Sequence, residues 1–368
     1  WEQRKFDNVV KRINDKDDNP ELPHIEFENI ISGNGTLNKN IKDLNSKKIG
    51  TKFQKEDILF GKLRPYLKNW YFAKENGIAV GDFWVLRAKK ISVFVYYLIQ
   101  TEKFYSIANL SSGSKMPRSD WNLVSNSRFN FPENTIESIK IGNLILQLDK
   151  LITLQQRKLK QLERLKTAML QQLLANQRFP KVRFNDFKDS WKDYRLGEVF
   201  DEFSVKSKRE NEYKLLSSTT SGMESRSGRV SGHSNIGYKV IDNGDIVLSP
   251  QNLWLGNINL NNMGKGIVSP SYHTFKIVNA NPIFVNFQLK TEKMLFEYKM
   301  VSVQGASVVR RNLDMDAFKK IVIKIPNEKE QIKIASLFSS ISNIINNHQN
   351  KLTQLSTLKK YLLQKMFI

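Results

Sequence analysis

Cysteine is absent from this 368-residue chain, and histidine occurs only four times. The first absence excludes a disulfide scaffold, a thiol nucleophile and any zinc site built on cysteine, and it fits a reducing cytosol. His24, His233, His273 and His348 stand apart, none at i+4 from another and none with a carboxylate at ligand spacing, so they read as surface or core residues. Long apolar runs are also missing. Residues 91–99 form one of the longest, well short of the ~20 residues a membrane span requires, and no signal-peptide pattern opens the chain. No Gly-x-Gly-x-x-Gly or Gly-x-x-x-x-Gly-Lys-Ser/Thr loop is present to seat adenosylmethionine or ATP; Gly33-Asn34-Gly35 and Gly264-Lys265-Gly266 read as turns. A methyltransferase acting on an exocyclic amine needs an Asn/Asp-Pro-Pro-aromatic loop, and Ser249-Pro250-Gln251-Asn252 lacks the second proline and the aromatic.

Positive charge, in contrast, is abundant: 58 Lys and Arg face 36 Asp and Glu, a net +22, on a chain that is 40% hydrophobic. That apolar content is enough to build cores, which excludes intrinsic disorder, and the length suits roughly two globular units of ~150 residues. The charge is evenly divided. Residues 1–190 carry 33 basic and 21 acidic side chains, a net +12, and residues 191–368 carry 25 and 15, a net +10.

Such symmetry points to an internal repeat. Thr101-Glu102-Lys103 recurs as Thr291-Glu292-Lys293, an offset of 190, and Trp1 corresponds to Trp191. Glu56-Asp57-Ile58-Leu59-Phe60 corresponds to Gly244-Asp245-Ile246-Val247-Leu248, and Glu137-Ser138-Ile139-Lys140-Ile141 to Glu330-Gln331-Ile332-Lys333-Ile334, the last at an offset of 193. Within each copy, up to Pro132 and Pro326, short β-branched and aromatic runs alternate with Gly, Asn and Ser clusters, the pattern of a mixed domain rich in strands and loops.

After each proline the periodicity becomes helical. Leu144, Leu148, Leu151, Ile152, Leu159, Leu162, Leu165, Met169 and Leu173 fall on one stripe, and Leu337, Ile341, Ile344, Leu352, Leu355, Leu358, Leu362 and Met366 repeat it without an intervening proline. An unbroken helix over the 40 residues 137–176 would be about 60 Å long. Two such helices with one apolar stripe each are most economically paired as an antiparallel coiled coil. Gln155 and His348 share the same seam position, as a register-setting polar layer or as solvated residues where the stripe drifts. The expected fold is therefore α+β, with two tandem mixed α/β domains, each followed by a long helix. Its segments are 1–135, the helix 136–177, a lead-in and second domain 178–327, and the helix 328–368.

The lead-in joining the copies has the form Phe-Pro-x-x-Arg-Phe-x-x-Phe-x-x-x-Trp, from Phe179 to Trp191, and is expected to dock its aromatics on the following domain. A similar segment is expected before Trp1 in the natural protein. With this lead-in, the Asp-Ile-Leu and Asp-Ile-Val strands, the Gly-Ser-Lys-Met-Pro-Arg and Gly-Ala-Ser-Val-Val-Arg segments, and the Glu-x-Ile or Glu-Gln-Ile helix openings, the chain resembles the specificity subunit of a type I restriction-modification enzyme over essentially its whole length. The resemblance implies two target-recognition domains that read the halves of a split double-stranded DNA sequence, with the paired helices as spacer. It further implies a non-catalytic, cytoplasmic subunit of a bacterium or archaeon that partners two modification subunits and the restriction subunits and has no membrane. No cofactor is expected on this chain; S-adenosylmethionine, ATP and Mg belong to those partners.

DNA affinity requires cations at phosphates, and specificity requires side chains that reach base edges. Three kinds of segment qualify. The first is the loop carrying Lys62, Arg64, Tyr66 and Lys68, whose counterpart carries Gln251, Asn252 and Trp254; Arg suits guanine and Asn or Gln suits adenine, so the two loops could read different bases. A strand edge with solvated charges is the plain alternative. The second is the glycine turn before the exit proline, with Lys115 and Arg118 in one copy and Arg310 and Arg311 in the other. It reads as a phosphate clamp, or as a simple turn whose Arg pairs with Asp120 or Asp314. The third is the hydroxyl-rich stretch 217–229 with Ser218, Thr219, Arg226 and Arg229, either a loop that orders on DNA or a mobile surface loop. Two other function classes stay open. One is a self-contained DNA methyltransferase or nuclease, for which Asp57 with Lys62 is the nearest acidic-and-lysine pair. The other is a coiled-coil scaffold whose charge confers solubility.

Overall fold

The computed structural model describes residues 1–44, 46–110, 116–226, 234–304 and 311–367. Two compact units emerge, Trp1–Arg157 with Gln349–Ile368, and Lys158–His348, so each contains one mixed domain and part of both long helices.

Unit 1 is organised by a four-stranded antiparallel sheet in the spatial order Val10–Ile13, Phe83–Ala88, Ile58–Gly61, Trp70–Phe72. Its side chains alternate between two cores, as the two-residue period of a strand requires. Ile58, Phe60, Trp84 and Leu86 enter an aromatic core with the helices Ser92–Leu98 and Glu102–Ala108, while Leu59, Tyr71, Phe83 and Val85 enter a second core. A second sheet runs Lys16–Asp17, Gly50–Phe53, Gly77–Ala79, His24–Ile25, its last pair parallel.

Unit 2 repeats this plan. Phe200–Phe203, His273–Ile277, Ile246–Leu248 and Ile258–Leu260 form the antiparallel sheet, again feeding two cores, with Ile246 and Leu248 on one side and Val247 on the other. In the second sheet Gly266–Val268 pairs parallel with Lys214–Ser218 and antiparallel with Lys239–Ile241, the same relations as in unit 1. The edges differ: Lys16–Asp17 shrinks to a single Lys206 to Lys239 bridge, and Met223–Ser225 is added on the opposite edge.

A buried ion pair recurs at matched positions. Both carboxylate oxygens of Asp57 accept from Arg87, at 2.8 and 2.7 Å, and one also accepts the Gln54 N–H; Asp245 likewise accepts from Lys276 at 2.6 Å and from the Asp242 N–H. Asp57 is thus consumed in holding a turn to the sheet, which removes the acidic residue of the nuclease-like pair. The duplicated Asp-Ile motif is a folding element.

The long helices span Thr135–Leu173 and Glu328–Lys365. Each starts after a proline on an asparagine cap: Asn134 Oδ1 accepts the Ile136 N–H, and Asn327 Oδ1 the Glu330 N–H. The first helix stops at Asn176, whose φ of +50° is left-handed; its amide oxygen accepts the Lys324 N–H at 2.7 Å and its Nδ2 donates to Val322 O. Within unit 1, Lys359 of the second helix reaches Asp149 of the first at 2.7 Å, and Asp149 also accepts the Tyr97 hydroxyl. Within unit 2, Lys166 donates to Ser342 Oγ at 2.9 Å, its pKa lowered by burial.

The lead-in docks on unit 2, mainly against the start of the second helix. Arg183 forms a two-fold bond to Glu330, Phe184 packs against the core, and Lys333 lies over the Phe184 and Phe187 rings, at 4.9 and 5.6 Å. Phe179 departs from expectation and stays 63% exposed.

One matched position is unequally filled. Gln331 accepts the Asn281 N–H at 2.7 Å and donates to Pro326 O at 2.9 Å. Its counterpart Ser138 borders a cavity of about 210 Å³ lined also by Ile91, Phe94, Phe131 and Pro132. Ser138→Gln is expected to stabilise unit 1 by roughly 0.5–2 kcal/mol, as cavity-filling changes do, read as an upward shift of the urea midpoint.

Candidate nucleic-acid interface

In unit 1 the candidate loop joins Ile58–Gly61 to Trp70–Phe72 and is closed by the Gly61 N–H on Asn69 O, 2.7 Å. Its centre is a 3-10 turn, Pro65–Leu67, flanked by Arg64 and Lys68 at φ of +48° and +56°. These left-handed residues turn the chain outward, leaving Tyr66 54% exposed. The glycine-turn segment joins it: Arg64 N–H donates to Pro117 O, Ser119 N–H donates to Lys62 O, and Leu63 bridges Arg118. Two segments separated by about fifty residues of sequence therefore form one basic surface.

Asp82 organises the cations on it. Arg118 donates to its carboxylate at 3.1 Å and Lys62 lies 3.7 Å away, so the partner of Arg118 is Asp82 and not Asp120. Asp120 instead caps the helix Trp121–Asn126 by accepting the Asn122 and Leu123 N–H groups. Exposed ion pairs of this kind contribute little and are readily exchanged for phosphate. Lys68 extends over the Tyr105 ring at 5.4 Å.

Unit 2 makes the same juxtaposition with other chemistry. The loop from Ile246–Leu248 to Ile258–Leu260 is closed by Ser249 N–H on Asn257 O and contains the turn Leu253–Leu255. Gly256, at φ +85°, takes the place of Lys68, and a Cβ there would meet Leu295 at 2.9 Å. The Arg311 N–H donates to Gln251 O at 3.2 Å, and its guanidinium lies 4.8 Å from the Trp254 ring centre. Gln251 is exposed, and Asn252 and Trp254 are half-buried. Asp314 does not pair with Arg311; it caps the helix Met315–Lys320. Lys115, Arg229 and Arg310 lie outside the described residues, as does His233.

The hydroxyl-rich stretch is corrected at Ser218. Its side chain is 3% exposed, donating to Asn257 Oδ1 at 2.6 Å and accepting from Asn259 at 2.7 Å, so it cannot meet DNA. A serine on a strand facing a buried asparagine pair has to satisfy those amides. Thr219 closes a turn on Gly222 O, while Arg226 is exposed at the end of the added edge strand.

Sequence reasoning missed two positioning residues. Asp82 was signalled only by its Gly81-Asp82 turn. Lys290 had no local signal: its ammonium lies beneath the unit 2 loop, donating to Gly256 O and Asn259 Oδ1 at 2.7 Å each, and burial lowers its pKa to about 8. His273, isolated in sequence, has a carboxylate neighbour across the sheet, Glu202 at 2.6 Å. Among the described residues no group of three or more His, Asp or Glu could hold a metal ion, and no helix is long and apolar enough to cross a membrane.

Residues 188–357 match the family model described as type I restriction modification DNA specificity domain. The chain belongs to the type I restriction-modification specificity family. Unit 1, outside the matched span, repeats the same sheet order and the same buried ion pair. Among solved structures, the S subunit of a type I restriction-modification system from M. genitalium is similar at TM-score 0.65 and 14% identity, covering 100% of this chain and 96% of that one. A structure concerned with complex assembly and conformational transition of the type I R-M system is similar at 0.56 and 18%, covering 100% and 97%. The HsdS subunit from Thermoanaerobacter tengcongensis is 18% identical over 100% and 96%, at a TM-score of 0.46. No curated protein matches the chain. Membership makes this a DNA-recognition subunit that performs no catalysis itself.

Proposed function

We propose that the subunit reads a split DNA target, each unit contributing one half-site surface. The observation that carries this is the duplicated juxtaposition: in both units an outward loop between two sheet strands meets an arginine segment delivered after the helical pair. In unit 1 that surface is cationic, and in unit 2 it presents amides and an arginine on tryptophan. The family resemblance supports two modification subunits and restriction subunits as partners, which carry S-adenosylmethionine, ATP and Mg, and a bacterial or archaeal cytoplasm as the site of action.

The two long helices, paired antiparallel, would act as the spacer. Bonds between them within each unit support this reading, Lys359 to Asp149 in one and Lys166 to Ser342 in the other. A helix of 39 residues is about 58 Å long, which corresponds to roughly 17 base pairs at ~3.4 Å rise. Inserting one or two helical turns into both helices, followed by methylome sequencing of a host expressing the assembled complex, is expected to lengthen the gap and leave both half-sites unchanged. An unchanged gap refutes the spacer, and methylation or magnesium-dependent nicking by the purified chain alone refutes the non-catalytic reading.

A further inference from the structure

The two copies differ in what covers the first turns of their long helices. In unit 2 the Glu330 side chain is fully buried beneath Arg183, which donates to both of its oxygens at 2.7 Å. Lys333, one turn on, binds Asp186 at 2.8 Å and sits over Phe184 and Phe187, and Trp191 is 1% exposed. In unit 1 the matched residues are Glu137, Lys140 and Trp1. Glu137 and Lys140 are exposed, Trp1 is 41% exposed, and Glu137 accepts the Trp1 indole N–H at 2.9 Å. Around them Ile136, Ile139 and Leu144 are 59, 39 and 45% exposed, whereas Leu337, the counterpart of Leu144, is partly buried against the unit 2 core.

This is a continuous face with an accessible carboxylate, a lysine one turn away and apolar side chains beside them. We propose that it is a docking site for an extended peptide segment of the type Arg-Phe-x-x-Phe, the chemistry of Arg183-Phe184-Asn185-Asp186-Phe187. The carboxylate of Glu137 receives the peptide guanidinium in a two-fold bond, the geometry Arg favours at carboxylates. Lys140 covers the two aromatic rings, as Lys333 does in unit 2. The apolar side chains on either side supply the surface on which the first phenylalanine is buried.

The test uses the whole chain and a fluorescein-labelled synthetic peptide with the sequence of residues 179–189, Phe-Pro-Lys-Val-Arg-Phe-Asn-Asp-Phe-Lys-Asp. Fluorescence anisotropy is expected to show saturable binding of one peptide per chain. Glu137→Gln, an exposed change that leaves the fold intact, is expected to weaken binding at least about tenfold, because the charge-assisted pair is lost. Exchanging the partners, with Glu137→Arg in the chain and Glu for Arg in the peptide, is expected to restore part of it. Absence of saturable binding up to about 1 mM peptide, where the interaction would be worth only ~4 kcal/mol, overturns the proposal. Binding that survives Glu137→Gln overturns it equally.

Discussion

Glu330→Ala is expected to destabilise unit 2 by about 3–5 kcal/mol, the cost of stranding one member of a buried ion pair. Glu330 has no solvent exposure, and Arg183 is 11% exposed with both of its donating nitrogens committed to that carboxylate. The same hydrogen bonds raise the Arg183 pKa further above its already high ordinary value, so the guanidinium cannot escape by shedding its proton. Removing the carboxylate therefore leaves a charge in the protein with no nearby counterion, and the lead-in from 178 to 190 should detach with it. Hydrogen exchange is the appropriate measurement, since a two-unit chain need not unfold in one step. Peptides containing Phe318 and Phe338, both fully buried in the unit 2 core, should lose protection. Replacing both partners with apolar residues of similar volume, Arg183→Met with Glu330→Leu, should recover most of it, because no charge is then left unpaired. Deprotection of equal size in the double variant would mean that the lead-in is held by its aromatics alone.

What could be read from the sequence was set by how local each cause is. Both long helices were visible because the apolar stripe is periodic and the preceding proline and asparagine are adjacent to the first turn; the central helix ends at Leu173, a few residues before the expected 177, because Asn176 turns left-handed and is sewn to the strand Val322–Ile325. The repeat was legible from short matched phrases, and the loops that meet DNA in the proposed function were legible as cations and amides after a strand. Pairings across the fold were not. Arg118 finds its acid at Asp82, 36 residues earlier, and Asp57 finds Arg87, 30 residues later. Nothing in a linear reading ranks those partners above the nearby Asp120 or Lys62. The repeat itself held one usable signal, since Arg87 and Lys276 are cations at matched positions facing matched aspartates. Ser218 illustrates the converse: a run of hydroxyl residues looks uniformly exposed, and only the register of Lys214–Ser218 in its sheet turns that one side chain inward against Asn257 and Asn259.

The two interface surfaces should fail in different ways when altered. In unit 1, combining Lys62→Gln, Lys68→Gln and Arg118→Gln with Arg64→Asn is expected to weaken binding of the assembled complex to its target by about 10²–10⁴-fold. It should also flatten the dependence of log affinity on log salt by up to ~3.6, if all four contact phosphate at ~0.9 counterion each. Asparagine is chosen at Arg64 because its φ of +48° suits few other side chains. Asp82→Asn supplies the opposite sign: it frees Lys62 and Arg118 from their carboxylate and should tighten binding and steepen the salt dependence. In unit 2, Gln251→Ala and Asn252→Ala remove neutral groups, so the salt slope should stay fixed. Discrimination at one or two base pairs should instead fall, by ~1–3 kcal/mol for each base whose edge is no longer hydrogen-bonded. Electrophoretic or anisotropy titrations at several salt concentrations, on the target and on single-base variants, separate the outcomes. If the unit 1 changes relax base preference at constant slope, or the unit 2 changes flatten the slope at constant preference, the assignment of phosphate contact to one loop and base reading to the other is wrong. If neither set changes affinity, the strand-edge loops do not face DNA, and their exposed cations are solvated charge.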